Sequence, residues 1–136
     1  MRQWSRASSA IGTAALAVAV VTTTPASADS HVGFTYEDFQ ARSAQDLMDI
    51  CTLEESNPDY WEARAFCFGF FQGGVQFHHA LTSGEAFDAI ACPGPDATVE
   101  AAVIVFVDYA RANPQHLEEP AMDMIFRAVG TEWPCS

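Results

Sequence analysis

From residue 36 onward, apolar positions recur at helical rather than alternating spacing. Between residues 36 and 51, Tyr36, Phe39, Leu47, Ile50 and Cys51 fit one helical stripe loosely, and the half from 43 to 50 fits it best. There Ser43 stands three residues before Asp46, a capping-box arrangement that marks a helix start. A polar loop follows at 54–59, where Pro58 disfavours helix immediately before it. A second helix is expected over about 59–80, carrying Trp61, Ala65, Phe66, Phe70, Phe71, Val75 and Phe77, with Leu81 just beyond. Aromatics at this density imply burial on more than one side. Gly69 and Gly73 lie four apart, on one face. Each costs roughly 1 kcal/mol of helix propensity, so close approach of a neighbouring helix is the expected compensation.

Residues 85–97 include the rigid turn-forming run Cys92-Pro93-Gly94-Pro95. A third helix is expected over 99–112, capped by Thr98 or Asp96, with Val99, Val103, Phe106, Val107 and Ala110 at helical spacing. The β-branched run Val103-Ile104-Val105 is compatible with a strand, but Glu100, Asp108, Tyr109 and Arg111 fit the helix better, and Asn113-Pro114 closes it. A fourth helix is expected from Leu117 or Glu118. It would have two acids in its first turn, a tolerated Pro120, and the stripe Ala121, Met124, Ile125, Ala128, Val129. The fold class is therefore all-α, a small bundle of about four helices in two hairpins.

The first 28 residues have a different pattern. Arg2 and Arg6 precede an apolar run over 10–21, then Pro25 and the small-residue triplet Ala26-Ser27-Ala28. This is the layout of a secretory signal peptide with cleavage near Ala28. The apolar run is about a dozen residues, short of the roughly 20 that span a bilayer. The expected organisation is thus 1–28 as signal peptide and 29–136 as one exported domain, periplasmic or secreted, with no membrane insertion after signal removal.

Removing 1–28 sharpens the charge. Four arginines remain (Arg42, Arg64, Arg111, Arg127) against all 18 acidic residues, a net of −14, and the chain has no lysine. Such a surface repels phosphate backbones and excludes nucleic acid as a partner. It suits a soluble protein or a basic protein partner.

All four cysteines (Cys51, Cys67, Cys92 and Cys135) lie in the exported part, and an even count in a small exported domain implies two disulfides. Three pairings are open to four cysteines. The two-hairpin arrangement favours Cys51–Cys67 and Cys92–Cys135, because each hairpin returns one cysteine beside the other. Metal and cofactor motifs are lacking. There is no C-x-x-C and no H-E-x-x-H, and the adjacent His78-His79 point about 100° apart on a helix.

The order of these features resembles a known family. Cys51 ends an early helix; Cys67-Phe68-Gly69 and Gly73 follow, then Cys92-Pro93, Tyr109-Ala110-Arg111-Ala112-Asn113-Pro114, Pro120-Ala121 and Trp133-Pro134-Cys135. Over about residues 43–135 the chain resembles the Rap/Tai family of immunity proteins associated with type VI secretion, with Asn113 standing where the family pattern has His before Pro. The resemblance implies a small disulfide-bonded periplasmic helical protein that binds and blocks a peptidoglycan amidase effector, and it is compatible with a homodimer.

No nucleophile elbow or nucleotide loop suggests an enzyme. His78, His79 and His116 are candidates by residue type only; His78 and His79 read as helix-surface or satisfied core histidines, and Glu54-Glu55 and Glu118-Glu119 as a solvated loop and a helix start. The expected partner contacts are Glu54, Glu55 and Asp59 in the acidic loop, with the segment 84–96 as a second candidate. Two other readings fit the composition. One is an acid-stress chaperone, since the charge swings from −14 to at least +8 as the carboxylates protonate below about pH 4. The other is an envelope protein of the same fold without a toxin partner.

Overall fold

The computed structural model describes residues 33–136, and the signal-peptide expectation falls outside them. Ser43 begins the first α-helix as the pattern indicates. Its hydroxyl accepts from Asp46 N–H at 3.1 Å, while the Asp46 carboxylate accepts from Ser43 N–H at 3.1 Å. The helix, α1, runs Ala44–Cys51 and buries Ala44, Leu47 and Ile50. The weaker half of the sequence stripe forms a separate 3-10 turn, Tyr36–Gln40.

Helices α2 (Tyr60–Thr82), α3 (Val99–Ala112) and α4 (Ala121–Glu132) complete the set, and no strand is present among the described residues. Thr98 caps α3, accepting from Ala101 N–H at 3.1 Å. The predicted α4 stripe, Ala121, Met124, Ile125, Ala128 and Val129, is buried throughout. At the centre of the core, Phe71 of α2 meets Phe106 of α3 edge-on, with ring centroids 5.6 Å apart. Both disulfides of the two-hairpin scheme are formed, Cys51–Cys67 and Cys92–Cys135, with Cα separations of 5.3 and 5.0 Å.

Three local expectations are corrected. The fourth helix starts at Ala121, because Pro114–His116 form a 3-10 turn and Pro120 takes extended backbone (φ −53°, ψ 135°). The carbonyls of Leu117 and Glu119 are instead taken by the first turn of α1, with Gln45 N–H donating to Leu117 at 2.9 Å and Ala44 N–H to Glu119 at 2.8 Å. Next, α2 is buried along one line only, Ala63, Cys67, Phe71 and Gly74, leaving Trp61 70% and Phe77 60% exposed. The reason is that its partners all meet that one line: α1 at Cys67 through the disulfide, α3 at Phe71 through Phe106, and α4 at Gly74 through Met122. Finally, nothing lies within 4 Å of where a Cβ would sit on Gly69 or Gly73. The close approach is at Gly74, where the Met122 sulfur of α4 would stand 3.2 Å from an added Cβ.

Candidate functional site

The segment between α2 and α3 has no helix or strand, yet it is held at several points. Ile90 N–H donates to His78 Nε2 at 3.0 Å, and Cys92 N–H donates to the Trp133 carbonyl at 2.9 Å. The Cys92–Cys135 disulfide ties it to the chain end. At Gly130 of α4 an added Cβ would lie 3.1 Å from the Ile90 carbonyl oxygen, so the loop backbone rests directly on that helix.

Between this loop, the second half of α2, the start of α3 and α4 lies an apolar groove of about 160 Å³. Phe71, Val75, His78, Ala91, Phe126 and Trp133 are among its lining residues. His78 is both lining and latch. Its ring packs on Phe126 with centroids 5.5 Å apart, and since a backbone N–H can only donate, Nε2 is unprotonated in this arrangement. His78→Ala is expected to cost about 1 kcal/mol, the net value of one hydrogen bond plus a modest ring contact. Chemical denaturation checks it, and hydrogen exchange at the Ile90 amide should accelerate.

The sequence-derived acids sit elsewhere. Glu54 and Glu55 are exposed on the α1–α2 loop, and Asp59 accepts from the Tyr36 hydroxyl at 2.8 Å. That hydrogen bond, reinforced by the Asp59 charge, raises the Tyr36 pKa above the ordinary phenol value. None of the three acids lines the groove. A smaller cavity of about 140 Å³ lies beside the Cys51–Cys67 disulfide, where Leu53 and Tyr60 from the ends of that loop line it.

His116 and Glu119, read from sequence by residue type alone, prove to be partners. Glu119 accepts from Arg127 at 2.7 Å and contacts His116 Nδ1 at 2.5 Å. The contact to His116 is the main cause of the lowered Glu119 pKa, helped by Arg127 and opposed by desolvation. A lowered carboxylate pKa in the folded state contributes stability above the unfolded value of about 4.3, and that contribution disappears as pH falls through the lowered folded value. Glu119→Gln should therefore flatten the acid limb of stability below about pH 4.3 without changing its slope above pH 6, as followed by melting temperature against pH. Glu118 is exposed. Among the described residues no group of three or more His, Cys, Asp or Glu is placed to hold a metal ion, and no helix is long and apolar enough to cross a membrane.

A family model for Rap1a immunity proteins matches residues 43–135. The chain belongs to the Rap1a immunity protein family. The match begins at the Ser43 cap, ends at Cys135 and so contains both disulfides and all four α-helices of the described residues. Membership implies a protein effector as the partner, and the Rap1a family is not an enzyme family. No curated protein and no solved structure matches the chain. The groove was missed in the sequence because it needs the loop, α2, the start of α3 and α4 together. From α2 it takes Phe71, Gly74, Val75 and His78, while the exposed aromatics Trp61 and Phe77 lie outside it, so the aromatic density of α2 did not mark it.

Proposed function

We infer that this Rap1a-family chain is exported by its first 28 residues, is oxidised in the periplasm, and there binds and inhibits a peptidoglycan amidase effector delivered by type VI secretion. It catalyses nothing itself. The family match across both disulfides carries this reading. Disulfides persist in oxidising compartments such as the periplasm, which supports export. Charge supports a basic partner. Arg64 pairs with Glu100, Arg111 with Asp108 and Arg127 with Glu119, while Arg42 donates to Gln40, so the arginines of the described residues are engaged and most of their carboxylates face outward. Two copies joined along the exposed side of α2, which carries Phe77 and the open space at Gly73, fit the same reading.

Protection in a cell tests it. A bacterial host that lyses when the amidase is sent to its periplasm should survive when the full chain is co-expressed, and should lyse when residues 1–28 are removed. Lysis despite the full chain, or rescue that ignores the leader, contradicts the inference.

The acidic loop supplies attraction at long range. Alanine at Glu54, Glu55 and Asp59 together should slow association with the amidase roughly tenfold at low salt and reduce its salt dependence, with a smaller change in dissociation. Stopped-flow binding reads both rates, and unchanged association removes this loop from the interface.

A further inference from the structure

We propose that the apolar groove beside the α2–α3 loop is the docking site for a positively charged segment of the partner, which inserts one apolar side chain into it. This rests on the protein-binding reading above and assigns it a surface and a chemistry. The first observation is size and lining. A space of about 160 Å³ walled by Phe71, Val75, Phe126 and Trp133 suits one aromatic or branched aliphatic side chain, since a cavity of roughly 150 Å³ holds a benzene ring. The second is exposure. Val75, which lines the groove, is 50% exposed, and Ile90, bonded to lining His78 and adjacent to lining Ala91, is 53% exposed. Apolar side chains left open around a preformed pocket match the anchor-and-pocket arrangement of interface hot spots.

Charge selects the occupant. Between Arg64 and Arg111 the chain has no arginine or lysine, and this stretch supplies the second half of α2, the whole loop and the start of α3. The same loop carries Glu85, Asp88 and Asp96, all exposed, and Asp96 adjoins lining Ala97. Arg127 of α4 is taken by Glu119. None of the three acids lines the groove itself, so they act on the segment that crosses the loop and not on the inserted side chain. A cationic segment finds no arginine or lysine in this stretch, whereas an acidic one finds three exposed carboxylates. Rigidity adds to the case. The groove wall is pinned by His78, by the Trp133 carbonyl and by the Cys92–Cys135 disulfide, so little ordering is left to occur on binding.

The test selects short random peptides displayed on phage against the full chain, produced through an oxidising secretory route, and measures the enriched peptides by fluorescence anisotropy. Arginine or lysine beside Leu, Phe or Trp should be enriched. Val75→Ser and Ile90→Ser should each weaken binding at least about tenfold, as should alanine in place of the peptide's apolar residue. Asp88→Asn with Asp96→Asn should weaken binding less and reduce its salt dependence. Trp61→Ser, at the other end of α2, should leave it unchanged, and melting curves of every variant confirm folding. Enrichment of acidic peptides, no enrichment, or binding indifferent to Val75 and Ile90 overturns the proposal. So does self-association that the same two variants disperse, which would make a second copy the occupant. Amidase inhibition that survives both groove variants removes the groove and keeps the immunity reading. Peptide binding without any amidase inhibition does the reverse.

Discussion

Replacing Cys92 and Cys135 by alanine together should destabilise the protein by about 4 kcal/mol, the loop-entropy value for a 43-residue closure. The same change at Cys51 and Cys67 closes only 16 residues and should cost about 3 kcal/mol. Against a total of roughly 5–15 kcal/mol for a domain of this kind, either loss is large. Urea denaturation under oxidising conditions measures both. The two losses should differ in kind as well as size. Cys51–Cys67 ties α1 to α2, where Leu47, Ile50 and Ala63 are already buried, so its removal acts mainly through the unfolded chain. Cys92–Cys135 holds a loop with no helix or strand of its own against the groove, and after its loss the bonds to His78 and the Trp133 carbonyl, the seat of Ile90 on Gly130 and the buried Ala91 remain, none of them covalent. Partner binding, measured where both variants are folded, should therefore fall in the Cys92/Cys135 variant and persist in the Cys51/Cys67 variant. Equal binding in the two would show that the second disulfide has no part in shaping the groove.

Phe106→Ala should cost about 3–5 kcal/mol, the range for deleting a fully buried aromatic side chain. Phe106 is completely enclosed and meets Phe71 edge-on at the junction of α2 and α3, so its removal takes away both the buried apolar surface and that ring contact. Two residues away Ile104 is 57% exposed, and Ile104→Ala should stay within about 0.5 kcal/mol. That contrast separates helix from strand in the β-branched run. In a strand Ile104 and Phe106 would share a face and lose comparably, whereas on a helix they point about 160° apart. Comparable losses by thermal or urea melts would contradict the helical register.

The bundle was legible where a local signal coincides with the tertiary one. The Ser43 and Thr98 caps, the stripe of α3 and the stripe of α4 are read within a few residues, and the structure places them as read. The start of α4 was misread because Glu118-Glu119 have the composition of a helix N-terminus. Their carbonyl neighbourhood is decided instead by α1, whose Ala44 and Gln45 amides take the backbone oxygens of Glu119 and Leu117. A partner more than 70 residues away leaves no trace in local pattern. The same limit explains α2. Aromatic density and a glycine pair are read as packing inside the chain, but α1, α3 and α4 all meet α2 along one line, and the surplus faces outward. Chain order left three disulfide pairings open, and the two-hairpin reading favoured the pair of bonds that the structure forms. The groove was not legible, because its walls come from four parts of the chain.

Amidase inhibition is the most direct test of the proposed function. The oxidised chain is titrated into a purified cell-wall amidase effector from the same bacterium, and release of new amino groups from peptidoglycan is followed. The expected result is a linear fall in activity to zero, with a break at a simple whole-number stoichiometry and loss of inhibition after reduction of the disulfides. Full activity in the presence of a large molar excess of oxidised, folded chain would contradict it.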